Sequence, residues 1–97
     1  MSIKIHIELK VKEERRDDVQ PLFAKLLVET RARNGNEGVT VYADQDSPTT
    51  IILIEQWSSR TLYEEYNRWR SERGDLSRLA GLLQVPPQRR FFDFLAV

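Results

Sequence analysis

The sequence predicts an α+β fold, a four-stranded antiparallel sheet with its helices on one face. Three observations carry that expectation. Apolar residues alternate strictly with polar ones from Ile3 to Val11, and the stretch from Ile51 to Ile54 is continuously apolar. Segments of helical period separate the strand-like stretches in the order strand, helix, strand, strand, helix, short helix, strand.

The first strand places Ile3, Ile5, Ile7, Leu9 and Val11 on one side and Lys4, His6, Glu8, Lys10 and Lys12 on the other. A charged bend at Glu13 to Arg16 leads to Asp17 or Asp18 as a helix cap, after which Val19, Leu22, Phe23, Leu26 and Leu27 recur at helical spacing. Pro21 is tolerated only near a helix start, and Asn34-Gly35 supplies the stop. Gly38 to Asp44 alternates as a second strand, and Asp46-Ser47-Pro48 turns into the third. That third strand, Ile51 to Trp57, has apolar residues on both faces, as a central strand does. Ser59 or Thr61 can cap the second helix, the latter with Glu64 as a capping box. Gly74 ends this helix, and Asp75 can cap a short third one carrying Leu76, Leu79, Ala80 and Leu83. Pro86-Pro87 breaks any helix, and Gln88 to Val97 reads as a last strand rich in phenylalanine.

A right-handed crossover between the first two strands leaves room for the third between them, antiparallel to both. The result is a ferredoxin-like sheet. Strand three sends Ile52 and Ile54 one way and Ile51 and Leu53 the other, and strand four splits Phe91 and Leu95 from Phe92 and Phe94 likewise. Helices cover only one of these faces, so a homodimer with sheets packed face to face is expected.

The chain has 97 residues, enough for one domain, 1–97, with a modest core. Lys plus Arg and Asp plus Glu number 15 each, so there is no general attraction to nucleic acid or to an anionic membrane. An RNA-binding sheet would need stacking aromatics where the third strand has Ile-Ile-Leu-Ile. No apolar run approaches the roughly 20 residues of a membrane span, and Met1 to Lys12 lacks the core of a signal peptide. A soluble cytoplasmic protein is expected. With no cysteine and the single histidine His6, neither a thiolate nucleophile nor the usual zinc site is available, and no metal or cofactor motif is present.

Chemistry concentrates between Thr50 and Tyr66. Glu55 shares the inward face of its strand with Ile51, Leu53 and Trp57, which makes it a candidate catalytic base unless an arginine pairs with it. Trp57, Tyr63, Tyr66 and Asn67 are candidates for the substrate-binding wall. His6 is a second candidate catalytic residue on the opposite face of its strand, where the alternative is an interface histidine. Arg89-Arg90 opens the last strand, as anion ligands or as guards of a sheet edge.

Several segments together resemble the antibiotic biosynthesis monooxygenase family of dimeric α+β barrels: LKVK, Thr30-Arg31-Ala32 with Gly35, VTVYAD, the D-x-D-S-P turn, and above all ILIEQW leading into a Ser-initiated helix. The resemblance implies a cofactor-free monooxygenase acting with O2 on a small phenolic or quinol-type aromatic molecule. Such a substrate reduces dioxygen once deprotonated, so an apolar enclosure and a base suffice. The haem-degrading branch needs a helix-borne His, and Tyr66 stands where relatives often carry one. A non-catalytic dimeric small-molecule-binding domain, or an isomerase or decarboxylase of the same superfamily, are the alternatives.

Overall fold

In the computed structural model, which describes residues 1–97, the alternating stretch forms strand β1 (Ile3–Lys10). A 3₁₀ segment (Glu13–Asp18), helix α1 (Val19–Ala32) and strands β2 (Asn36–Ala43) and β3 (Thr50–Trp57) follow, then helices α2 (Arg60–Glu72) and α3 (Asp75–Ala80) and strand β4 (Gln88–Asp93). The sheet order is β2-β3-β1-β4 with every neighbouring pair antiparallel, the ferredoxin-like arrangement expected from the crossover rule.

Strand periodicity sorts the side chains. Ile5, Ile7 and Leu9 of β1, Val39 of β2 and Ile51, Leu53 and Trp57 of β3 point toward the helices, where Val19, Phe23, Leu27 and Tyr63 close over them. Residues of the other parity, among them His6, Ile52, Ile54 and Phe92, lie on the face that no helix covers.

Three local expectations are corrected, and a choice between two caps is resolved. The bend at Glu13–Arg16 is a 3₁₀ segment, and the Asp18 carboxylate accepts from Arg15 Nε at 2.6 Å instead of capping α1. Ser59, not Thr61, caps α2, accepting the Leu62 backbone N–H. Gly74, in the left-handed conformation, precedes α3, and the Asp75 side chain turns inward rather than onto the helix end. Strand β4 ends at Asp93 because its partner β1 ends there too, at Ile3, so Phe94 and Leu95 run past the sheet edge into solvent.

One glycine is fixed by packing. At Gly35, with φ of +91°, an added Cβ would sit 2.6 Å from Leu62 Cδ1, and the Gly35 carbonyl accepts the Ser58 N–H. The α1–β2 joint is thereby pressed against the start of α2, on the side where Trp57 ends β3.

Candidate functional site

Helix α2 returns over the sheet with Tyr63, Tyr66, Asn67 and Arg70 on its inward stripe, positions i, i+3, i+4 and i+7. Both tyrosine rings pack on Trp57, with centroids 5.7 Å and 4.9 Å away. Between this stripe, strands β1 and β3, and the apolar side of α1 lies a cavity of about 50 Å³, room for a few water molecules. Ile7, Leu9, Phe23, Leu27 and Leu53 form its floor and far wall, and Leu76 and Leu79 of α3 close it.

Glu55 opens onto this cavity and is 3% exposed. Its neighbours in register are Ile5 and Val39, so no counter-ion lies alongside it in the sheet. The one protein group that meets its carboxylate is the Trp57 indole, whose Nε1 donates to Oε1 at 2.8 Å. Burial pushes the Glu55 pKa up, and the indole hydrogen bond together with the more distant charges of Arg89 and Arg70 offsets only part of that effect. Of the two alternatives for Glu55, a base or one half of an arginine pair, the pair does not form: no guanidinium lies within ion-pairing distance of this carboxyl.

Tyr63 stands beside it. Its hydroxyl accepts from Arg89 Nε at 2.9 Å, and burial drives its pKa up to about 12, so it stays a neutral O–H.

A second polar group occupies the α1–α2–α3 side. Arg70, 2% exposed, spends all five N–H donors: Nε on the Tyr66 hydroxyl, Nη1 on Glu29 and Asp75, Nη2 on the Leu26 carbonyl and Thr30 Oγ1. Tyr66 and Thr30 share a further hydrogen bond of 2.8 Å. Burial works against the Arg70 charge, but these acceptors outweigh it and hold its pKa above the ordinary arginine value.

Of the residues expected from sequence, Glu55, Tyr63, Tyr66 and Asn67 come together on the cavity wall. Trp57 and His6 do not. Trp57 is wholly buried behind Glu55, with its N–H committed to that carboxylate. His6 lies on the uncovered sheet face, its ring 4.8 Å from Phe92, because strand alternation separates it from Ile5 and Ile7 by the thickness of the sheet. His6 and Glu55 thus lie on opposite sides of the sheet. The arginines expected at a surface or edge divide: Arg89 reaches Tyr63, while Arg90 is exposed over Phe92.

The polar residues that sequence reasoning missed are Thr30, Arg70 and Asp75. A signal existed for the first two. Thr30 continues the Phe23–Leu27 spacing and Arg70 the Tyr63–Tyr66 spacing, and a polar residue on an inward stripe needs a buried partner. No group of three or more His, Asp or Glu side chains converges as metal ligands.

The family model for antibiotic biosynthesis monooxygenases matches residues 2–73, from before β1 to the end of α2. The chain belongs to the antibiotic biosynthesis monooxygenase family. No curated protein sequence matches it. Among solved structures, an antibiotic biosynthesis monooxygenase superposes with a TM-score of 0.87 at 19% identity, covering 97% of this chain and 99% of its own. Rv0793 from Mycobacterium tuberculosis gives 0.86 at 18% identity, covering 100% and 98%. SnoaB, a cofactor-independent oxygenase from Streptomyces nogalater solved as an Asn-to-Ala variant, gives 0.84 at 11% identity, covering 99% and 95%. At these identities the superpositions establish the shared fold. Glu55, Tyr63, Tyr66 and Arg70 fall inside the segment matched by the family model, whereas Asp75 and Arg89 fall outside it.

Proposed function

We propose that this member of the monooxygenase family is a cofactor-independent oxygenase of a phenolic or quinol-type aromatic, with Glu55 as the base. The observation that carries the reading is the Glu55 carboxyl itself: buried, without a counter-ion, raised in pKa, and facing a cavity lined by aliphatic and tyrosine side chains. A base with these properties takes the proton of a bound phenol, and the resulting anion is electron-rich enough to reduce dioxygen directly. Dioxygen adds to a ring carbon as a peroxide, and Glu55 returns the phenol's proton to its outer oxygen. The O–O bond then breaks as the C–H proton of that ring carbon is lost, leaving a ring carbonyl, and the outer oxygen departs as water with both protons. The Tyr63 hydroxyl, polarised by Arg89, is placed to hydrogen-bond the developing oxyanion. The fold shared with SnoaB, itself described as a cofactor-independent oxygenase, agrees with this chemistry.

A cavity of about 50 Å³ is far below the 300 Å³ or so of an aromatic ligand site, so substrate enters by displacing part of the wall. The short helix α3, which packs chiefly on α2, is the wall element with the fewest ties. Trp57 keeps a role at one remove, orienting Glu55 through its N–H. His6 is assigned to the uncovered face, where half-buried Ile52, Ile54 and Phe92 support packing against the sheet of a second copy.

The same small cavity also favours a second reading, a domain that binds a small molecule without turning it over. Oxygen uptake by the purified protein with a panel of hydroquinones and polycyclic phenols separates the two. The oxygenase reading expects uptake with at least one compound, reduced roughly 10²–10⁴-fold in Glu55→Gln. Uptake no greater than background, or equal in the variant, would remove Glu55 from catalysis.

A further inference from the structure

A second concavity, far larger than the one that holds Glu55, lies between α1 and the β2 side of the sheet. It is an open groove of about 510 Å³, against about 50 Å³ for the Glu55 cavity, and falls in the roughly 300–1,000 Å³ range of small-molecule sites. Helical spacing builds one wall. Gln20, Phe23, Ala24, Leu27 and Arg31 stand at i, i+3, i+4, i+7 and i+11 of α1, and Arg16 of the preceding 3₁₀ segment continues the line. Val41 and Ala43 of β2, Pro48 and Ile51 of β3 build the other, and the small Ala24 and Ala43 leave room between them. From Gln20 to Arg31 the stripe runs about 16 Å along the helix axis.

The charge of this groove is one-sided. No carboxylate lines it, whereas an arginine stands at each end of the stripe, and neither Arg16 nor Arg31 takes part in an ion pair. Arg31 is the better fixed of the two. Its Nη2 donates to the Val39 carbonyl at 3.0 Å, which tethers the guanidinium beside β2, and its remaining N–H groups have no partner in the chain. A tethered, unpaired guanidinium receives a carboxylate with little further ordering. The apolar stretch beside it is long and mainly aliphatic, which suits a linear chain better than a fused ring system.

We infer that the α1–β2 groove is a binding site for a medium-chain aliphatic carboxylate, with the head on Arg31 and the acyl chain along Leu27, Ala24 and Phe23. This site is separate from the one proposed for oxygen chemistry. The two spaces share the Phe23 and Leu27 side chains as a wall, but Ala24, Arg31 and Val41 line only the groove. The inference therefore does not depend on Glu55 being a base.

The test is calorimetric titration of the full chain with hexanoate, octanoate, decanoate and decan-1-ol, each kept below its aggregation concentration. Wild-type affinity is expected to rise about three- to fourfold per added methylene, and decanoate to bind about tenfold or more tightly than the alcohol. Arg31→Gln should bring decanoate down to the level of the alcohol, and Arg31→Lys, which keeps the charge without the planar fork, should recover part of the loss. Ala24→Phe fills the groove and should weaken every chain about tenfold. Both positions are solvent-exposed, so these variants are expected to fold, which a thermal melt checks. No binding of decanoate by the wild type, or an affinity independent of chain length, overturns the proposal without any variant. Unchanged decanoate affinity in either Arg31→Gln or Ala24→Phe overturns it too, because the acid would then lie elsewhere, the Glu55 cavity included.

Discussion

Glu55 and Asp75 are equally buried, each 3% exposed, and both line one cavity, yet they live under opposite electrostatic regimes. Glu55 stands in the middle of a sheet between Ile5 and Val39, and receives one indole N–H. Asp75 stands at a helix joint five residues from Arg70 and receives a guanidinium. The backbone element decides the difference. In-register neighbours on a sheet face are fixed at short spacing and here are apolar, whereas the turn after Gly74 swings Asp75 beneath the inward stripe of α2. Burial with a counter-ion yields a fixed charge that holds helices together. Burial without one yields a carboxyl that can still trade its proton.

The largest break in this contrast comes from Arg70→Met. It strands Asp75 without its counter-ion and frees the Thr30, Tyr66 and Leu26 acceptors together. A loss of about 3–5 kcal/mol is expected in urea denaturation. A loss under about 1 kcal/mol would mean the pair does no more for the fold than a surface bridge.

Glu55→Gln has the opposite sign. The folded chain holds the Glu55 proton more tightly than the unfolded chain, so wild-type stability is complete below the ordinary carboxylate range and is lost as pH rises through the raised value. Glutamine keeps an acceptor for Trp57 Nε1 and carries no charge to desolvate. Thermal melts should therefore find the variant more stable by on the order of 1–2 kcal/mol near neutrality and above. The gap should close as the pH falls to about 4, where the unfolded carboxyl also protonates. A gap that does not vary with pH would contradict the raised pKa.

Smaller effects sharpen the comparison between the two tyrosines. Tyr66→Phe removes a hydroxyl tied to both Arg70 and Thr30 and should cost about 1–2 kcal/mol. Tyr63→Phe removes one bond to a half-exposed arginine and should cost about 0.5–1 kcal/mol, while lowering oxygen uptake more than Tyr66→Phe does. Smallest of all is Arg73→Ala, whose partner Glu29 is also in solvent. Its effect on the melting temperature should vanish in molar salt.

The sheet and its helices were legible because alternation at Ile3–Val11 and the apolar run at Ile51–Ile54 admit few alternatives. Half of the candidate site was legible for the same reason: parity placed Glu55 inward, and helical spacing placed Tyr63 and Tyr66 over it. Trp57 could not be resolved by parity alone, since a residue on the right face can stand behind the cavity as easily as beside it. The Arg70–Asp75 pair stayed hidden because Asp75 after Gly74 has the sequence of a helix cap. Only the path of the turn shows that its side chain serves a different helix. Phe94 and Leu95 misled for a related reason, since strand composition continues past the point where the partner strand stops.

Strand alternation carries one further consequence, for change rather than for catalysis. On β1 and β3 the odd-numbered residues face the helix layer, Ile7, Leu9, Leu53 and Glu55 among them lining the cavity, and the even-numbered ones face the uncovered side of the sheet. A lineage, or an engineer, can redraw the outer surface at His6, Ile52 and Ile54 while leaving Ile7, Leu53 and Glu55 untouched. The outer face and the cavity wall are thereby written on interleaved letters of the same two words, and each can be edited without misspelling the other.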